Sequence, residues 1–241
     1  MSNLIFDIDG TLRNFEKEPN IDPRLVEYIT VSQTDNQNIV VTGRTVANLN
    51  IFLSEINCSA DIFSKIYCED GLISLENGNV TFLANPVDLN QLEVARKYID
   101  QIVVNTNQFN ASYPDKHLRG DGVIIVQESS DEMPFMKHLT PFLAKNNLVN
   151  LSINLLTHNR LSVSVNNISK CSAINISKVN LSESYYFCDE KNDLELARLI
   201  KESGGKVICP SNAIEEVKSI AHYVSALPYS YGVVDYLSKI L

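Results

Sequence analysis

The feature that most constrains this fold is a recurring pairing: a short, wholly apolar run that stops abruptly at polar residues. Leu4-Ile5-Phe6 ends at Asp7, Ile39-Val40-Val41 ends at Thr42-Gly43-Arg44, and the run from Tyr185 to Cys188 ends at Asp189. Apolar runs of this length, with no alternation of polar residues, are strands buried on both faces. Between them lie segments of helical character. Residues 23–29 follow Asp22 as N-cap with Pro23 in the first turn, and further helices are expected over 46–55, 170–179, 192–202, 213–219 and 231–240. Strands alternating with helices imply an α/β, Rossmann-like parallel sheet, with further strands at 66–68, 206–209 and 222–225.

The rhythm breaks in the middle. Two runs, Leu72 to Leu75 and Val80 to Leu83, flank Glu76-Asn77-Gly78-Asn79, a hairpin signal. A long helix from Leu89 to about Val104, a strand at 123–126, a helix over 134–146 and two strands at 152–156 and 161–165 follow. The expected organisation is a discontinuous core of residues 1–83 and 166–241, interrupted by an α+β unit over 84–165. There is no internal repeat or low-complexity linker.

A chain of 241 residues, 44% hydrophobic and 20% charged, can bury a substantial core. Its 29 acids against 20 bases, a formal charge of −9, argue against a nucleic-acid binder. Five scattered cysteines without a CxxC pair indicate reduced thiols and a cytoplasmic setting, and four scattered histidines complete no zinc pattern. Neither a signal peptide nor a membrane span is expected. Asn110, Asn150, Asn167, Asn175 and Asn180 each begin an Asn-x-Ser triplet in an Asn- and Ser-rich chain, and read as chance matches. The adhesion-like tripeptide Arg119-Gly120-Asp121 reads as a turn.

In an open parallel sheet, ligands bind beyond the carboxyl ends of the strands. The first strand delivers Asp7 and Asp9 there, two residues apart and so able to face one site, with Gly10 permitting a sharp turn. Two carboxylates together call for a cation, a shared proton, or a nucleophile with its acid/base partner. Other edges add the Thr42 hydroxyl and the Gly43 and Arg44 N–H groups, Asp189 with Asn192 and Asp193, Ser211 and Asn212, and Lys170 at a helix start. Taken singly, each has an ordinary structural alternative: a helix cap, an acid in a first turn, a solvated lysine. Taken together, they make a nucleophile, a proton donor, a cation site and phosphate donors.

On these residues the chain resembles the haloacid dehalogenase superfamily of aspartate-nucleophile phosphatases. Asp7-Ile8-Asp9-Gly10-Thr11, Thr42-Gly43-Arg44, Lys170, and Asp189 with Asn192-Asp193 match its four motifs in order. About 30 residues separate the first two motifs and about 125 separate the second from Lys170, so a cap domain falls between motifs two and three. Its α+β pattern resembles the type IIB cap of the Cof-like, sucrose-phosphatase and trehalose-phosphatase branches. Ser169-Lys170-Cys171-Ser172-Ala173, Ser211-Asn212-Ala213 and Glu216-Val217-Lys218 resemble those branches too. Cys188 and Glu69-Asp70-Gly71 depart from the family pattern, where glycine and Glu-Asn-Gly are usual.

The resemblance implies an Mg²⁺-dependent phosphomonoester hydrolase acting on a sugar phosphate or similar small metabolite. In it Asp7 is the nucleophile, Asp9 the acid/base and Lys170 the charge-balancing catalytic lysine. Asp7, the Asp9 carbonyl and Asp189 hold the metal, with Asn192 and Asp193 behind them. Thr42, Gly43, Arg44 and Asn212 receive the phosphate. The resemblance implies no nucleic-acid or membrane partner, and a monomer or small homo-oligomer. The alternatives are a phosphomannomutase-like phosphotransferase and a non-catalytic binding protein of the same fold. Lys116, His117 and Arg119 are candidates for substrate contact, with an exposed polar loop as the plainer reading.

Overall fold

The structure is a computed structural model and describes residues 2–14, 20–76, 78–106, 109, 111–112, 122–129, 132–155 and 159–241. The hairpin residue Asn77, the tripeptide Arg119-Gly120-Asp121 and the candidates Lys116, His117 and Arg119 lie outside these residues.

The chain forms two compact units: Met1–Thr81 with Ser169–Leu241, and Phe82–Ile168. The first is built on an eight-stranded sheet in the order β12-β11-β10-β1-β2-β3-β4-β5. Its strands are β1 (Ser2–Phe6), β2 (Asn36–Val41), β3 (Lys65–Cys68), β4 (Ile73–Glu76), β5 (Asn79–Phe82), β10 (Ser184–Phe187), β11 (Lys206–Cys209) and β12 (Tyr223–Val224). From β12 to β3 all neighbours run parallel, and β4 then pairs antiparallel with β3. The α/β class read from the apolar runs is therefore the observed one.

The central strand β1 is buried along Asn3–Phe6, as a strand covered on both faces must be. Phe6 stacks on Phe187 of the neighbouring β10 at 4.9 Å between ring centroids. Helix α1 (Leu25–Ser32) packs with α8 (Tyr229–Ile240), while α5 (Lys170–Ile176), α6 (Leu194–Glu202) and α7 (Glu215–Ile220) form a second packed series. Helix α2 (Val46–Glu55) is capped by Thr45, whose hydroxyl accepts the Asn48 N–H at 3.0 Å.

The first helix begins later than expected. Helix α1 starts at Leu25, not Pro23, because Asp22 caps a turn ahead of it: its carboxylate accepts the Arg24 N–H at 2.9 Å and also pairs with the Arg24 guanidinium.

The second unit carries a four-stranded sheet in the order β6-β7-β9-β8, formed by Ala111–Ser112, Ile124–Glu128, Arg160–Val165 and Leu151–Leu155. The pairings among its described residues are antiparallel, and those residues also form helices α3 (Pro86–Ile99) and α4 (Pro134–Lys145). Asn85 caps α3 by accepting two backbone N–H groups at 3.0 Å. The helix expected to run to about Val104 is α-helical only to Ile99 and continues as π-helical turns over Asp100–Thr106. Helix α4 takes its cap from the sheet instead: the buried Glu128 carboxylate on β7 accepts the N–H groups of Phe135 and Met136, both at 3.0 Å.

Candidate active site

The site is assembled at the carboxyl edge of the parallel strands. Asp7 continues the ladder beyond β1, its N–H donating to the Phe187 carbonyl at 3.0 Å. The chain then folds back at once. The Ile8 carbonyl accepts from the N–H groups of Thr11, Leu12 and Arg13, and Gly10 takes φ of +85°. Any Cβ on Gly10 would overlap the Asp189 carboxylate, so this turn requires glycine on grounds of both backbone and space.

Three acids meet here. One carboxylate oxygen from each of Asp7, Asp189 and Asp193 lies within 4.8 Å of the others, and all three residues are buried. Lys170 enters from the first position of α5, where Ser169 and Ser172 form a reciprocal cap. Its ammonium donates to Asp7 Oδ1 at 2.6 Å and to Asp193 Oδ1 at 2.7 Å, with its side chain only 2% exposed. A lysine is disfavoured at a helix N-terminus. Here the two carboxylates outweigh that penalty.

Asp193 differs from the other two acids in having its acceptor capacity filled. Oδ1 accepts from Lys170 and from the Tyr186 hydroxyl at 2.5 Å, while Oδ2 faces the N–H groups of Glu190 at 3.1 Å and Asp189 at 3.4 Å. A carboxylate offers about four lone-pair sites. Asp193 therefore serves as a brace, and the acids with acceptor capacity to spare are Asp7 and Asp189. Asp189 accepts the Thr11 hydroxyl on Oδ1 at 2.9 Å.

The electrostatics show what the cluster lacks. Burial, together with Asp193 and Asp189, pushes the Asp7 carboxyl well above the usual range, against the pull of Lys170. Burial and Asp193 likewise push Asp189 up to about 8. Burial works against the Lys170 charge, but Asp193 and Asp7 outweigh it and hold the ammonium above its ordinary value. Three buried carboxylates around one lysine leave an excess of negative charge in a set of hard oxygen donors. That donor chemistry fits a divalent cation such as Mg²⁺.

The remaining predicted residues fall in two groups. Thr42 and Gly43 follow β2 at the same edge, with Thr42 buried and its N–H bonded to the Tyr67 carbonyl. The Asp70 carboxylate sits over Gly43, 3.4 Å from where a Cβ would stand, and Asp70 itself holds φ of +54°. Exposed Asn192 donates to Asp70 at 3.5 Å.

The Arg44 and Asn212 side chains both have partners within the protein. Arg44 grips both oxygens of Asp9, at 2.8 and 2.7 Å, and donates its third nitrogen to the Asn48 carbonyl. The Asn212 amide donates to the Gly10 carbonyl at 2.7 Å and its oxygen accepts the Tyr229 N–H at 2.8 Å. It therefore ties the first loop to the start of α8. Physical reading of the sequence passed over Tyr186 and the Thr11–Asp189 bond. A tyrosine in a strand buried on both faces was the available signal, because its hydroxyl needs a partner there.

Among known proteins, a family model of haloacid dehalogenase-like hydrolases matches residues 110–237, more than half of the chain. No curated protein gives a significant sequence match. Similar solved structures include a protein from Thermoplasma acidophilum with 14% identity over 99% of this chain and 97% of that one, at a TM-score of 0.70. A haloacid dehalogenase subclass IIB sugar phosphatase has 16% identity over 100% and 99% of the two chains, at 0.65. The sucrose-phosphatase from Synechocystis sp. PCC6803, in complex with sucrose and phosphate, has 12% identity over 99% and 97%, at 0.67. At these identities the structural likeness concerns the fold alone. The family match is a statement about the sequence, and by it this chain belongs to the haloacid dehalogenase-like hydrolases.

Proposed function

We propose that the protein is a phosphomonoester hydrolase that works through an aspartyl-phosphate on Asp7, with a sugar phosphate or similar small phosphorylated metabolite as substrate. The observation that carries this reading is the buried cluster of Asp7, Asp189, Asp193 and Lys170 at the sheet edge. The family match and the fold's likeness to sugar phosphatases support it.

In this reading an Asp7 oxygen attacks phosphorus and the ester P–O bond breaks, its electron pair leaving with the alcohol oxygen. Asp9, protonated and with one oxygen freed from the Arg44 fork, donates that proton to the alcohol oxygen, then takes one from the water that attacks the phosphoryl group on Asp7. The second step releases inorganic phosphate and restores both aspartates. Lys170 offsets charge on Asp7 and offers a donor to the phosphoryl oxygens, as do Thr42 and the Gly43 N–H. Asp7, Asp189 and the Asp9 carbonyl would hold Mg²⁺, which when bound supplies positive charge between an anionic nucleophile and an anionic substrate. The Phe82–Ile168 unit is assigned the selection of the leaving group, and the setting is taken as cytoplasmic.

Asp7→Asn tests the reading. The variant is expected to fold, by circular dichroism, and to release no phosphate from a panel of sugar phosphates hydrolysed by the parent. Parental activity should also vanish on chelation and return with Mg²⁺. Turnover that survives Asp7→Asn would sink the assignment, as would isomerisation without phosphate release when a sugar bisphosphate is added.

A further inference from the structure

Tyr186 is among the largest completely buried side chains of the described residues, at 0% exposure on strand β10. Its ring needs no hydroxyl to fill that space, and a phenol buried without a partner is costly. The partner it has lies in the site. The hydroxyl donates at 2.5 Å to Asp193 Oδ1, the same oxygen that accepts Lys170 Nζ at 2.7 Å, and that ammonium in turn donates to Asp7 Oδ1 at 2.6 Å. Tyr186, Asp193, Lys170 and Asp7 thus form one continuous buried chain of charge-assisted bonds.

We infer that Tyr186 is a positioning residue for Lys170. It acts through Asp193 and sets how far the lysine is free to serve Asp7 and an incoming phosphate. Two donors share Oδ1, so neither meets its full charge. Without the phenol, Lys170 is the single donor to that oxygen. In a buried, low-dielectric setting the Asp193–Lys170 bond then strengthens and draws the ammonium off Asp7. The backbone N–H groups on Oδ2 cannot substitute, because they are fixed on the other side of the carboxylate. Tyr186 therefore shifts Lys170 toward the reacting end of the chain. This inference rests on Lys170 meeting the phosphate, as proposed above.

The test is Tyr186→Phe, read by calorimetric titration of inorganic phosphate in the presence of Mg²⁺, so that no turnover is needed. Phosphate affinity is expected to fall about fivefold to tenfold, the scale of one ordinary net hydrogen bond, because the Lys170 contact is weakened and not removed. Mg²⁺ affinity measured without phosphate should stay within about twofold, because that set is Asp7, Asp189 and a carbonyl. In an Asp193→Asn background the same change should add less than about twofold, since the route through the Asp193 charge is already cut. Unchanged phosphate affinity, equal losses for phosphate and Mg²⁺, or additivity with Asp193→Asn would each overturn the inference. If Tyr186→Phe does not fold, the parent supplies the readout: a slowly exchanging tyrosine hydroxyl resonance should move when phosphate is added, and no movement overturns the inference. A parent that binds phosphate but hydrolyses no phosphomonoester would count against the hydrolase reading alone.

Discussion

Arg44 holds both carboxylate oxygens of Asp9 in a two-pronged ion pair, with Nε at 2.8 Å from one and Nη2 at 2.7 Å from the other. The Arg44 side chain is 12% exposed and that of Asp9 34%, so the pair is partly shielded from water. A planar fork fixes the orientation of the carboxylate as a point charge would not. The same loop is tied to α2 by a second fork, Arg13 on Glu55 at 2.7 and 2.9 Å.

With Asp9 as acid/base, Arg44→Ala should lower kcat by about a hundredfold, the lower range for losing a positioned acid, while KM moves less than about threefold. Arg44→Lys should recover only part of kcat, because an ammonium cannot grip both oxygens. Steady-state kinetics separate this from phosphate binding. A raised KM at unchanged kcat would return Arg44 to the phosphate-contact role expected from its place in Thr42-Gly43-Arg44.

Gly10→Ala should be among the most damaging small substitutions in the molecule. The new methyl would meet the Asp189 carboxylate and require a left-handed backbone at once. Overpacking of this kind costs about 1–3 kcal/mol and the backbone adds about 1 kcal/mol or more. A lowered unfolding temperature together with lost Mg²⁺ binding is the expected result. Gly78→Ala shares the positive φ but has open space around it, so it should lower the temperature alone and by less.

Glu128→Gln should destabilise the Phe82–Ile168 unit locally. An amide presents one acceptor and turns its NH₂ toward the other backbone N–H, so one of the two caps on α4 is lost. A cost of about 1–2 kcal/mol is typical for losing a helix cap. It should appear as faster hydrogen exchange along Pro134–Lys145, with the rates of β10 and β11 unchanged.

Acid sensitivity should be traceable in part to Asp235. Hydrogen bonds from Tyr223 and Lys239, with Ser225, outweigh slight burial and hold its carboxyl below the usual range. A depressed carboxyl stabilises the fold above its unfolded-state pKa, and that contribution disappears as pH falls through the folded-state value. Asp235→Asn should therefore lower the melting temperature at pH 7 by about 2 °C, a small effect because the group is partly solvated. The gap to the parent should close below about pH 3, and thermal melts across pH 2–7 would show it.

Much of this architecture is written in local pattern. Ile39-Val40-Val41 and Leu4-Ile5-Phe6 are buried strands because continuous apolar runs are stable only where both faces are covered. Because a parallel sheet aligns its strand ends, the residues after those runs share an edge, and Asp7, Thr42 and Asp189 could be grouped from sequence alone. The insertion expected over 84–165 shows in the sequence as a change of period.

Which partner each polar side chain takes was decided only in three dimensions. Arg44 stands beside two good phosphate donors in sequence, yet its guanidinium closes on Asp9, 35 positions away. Asn212 is held by Gly10 and Tyr229, and Asp193 is saturated by Lys170, Tyr186 and two backbone N–H groups. Such choices depend on distances between segments far apart in the chain, and burial makes each one costly to leave unmade. The opening Asp7-Ile8-Asp9-Gly10-Thr11 names the groups that carry charge. Packing around it sets the partner of each: Lys170 for Asp7, Arg44 for Asp9, Asp189 for Thr11.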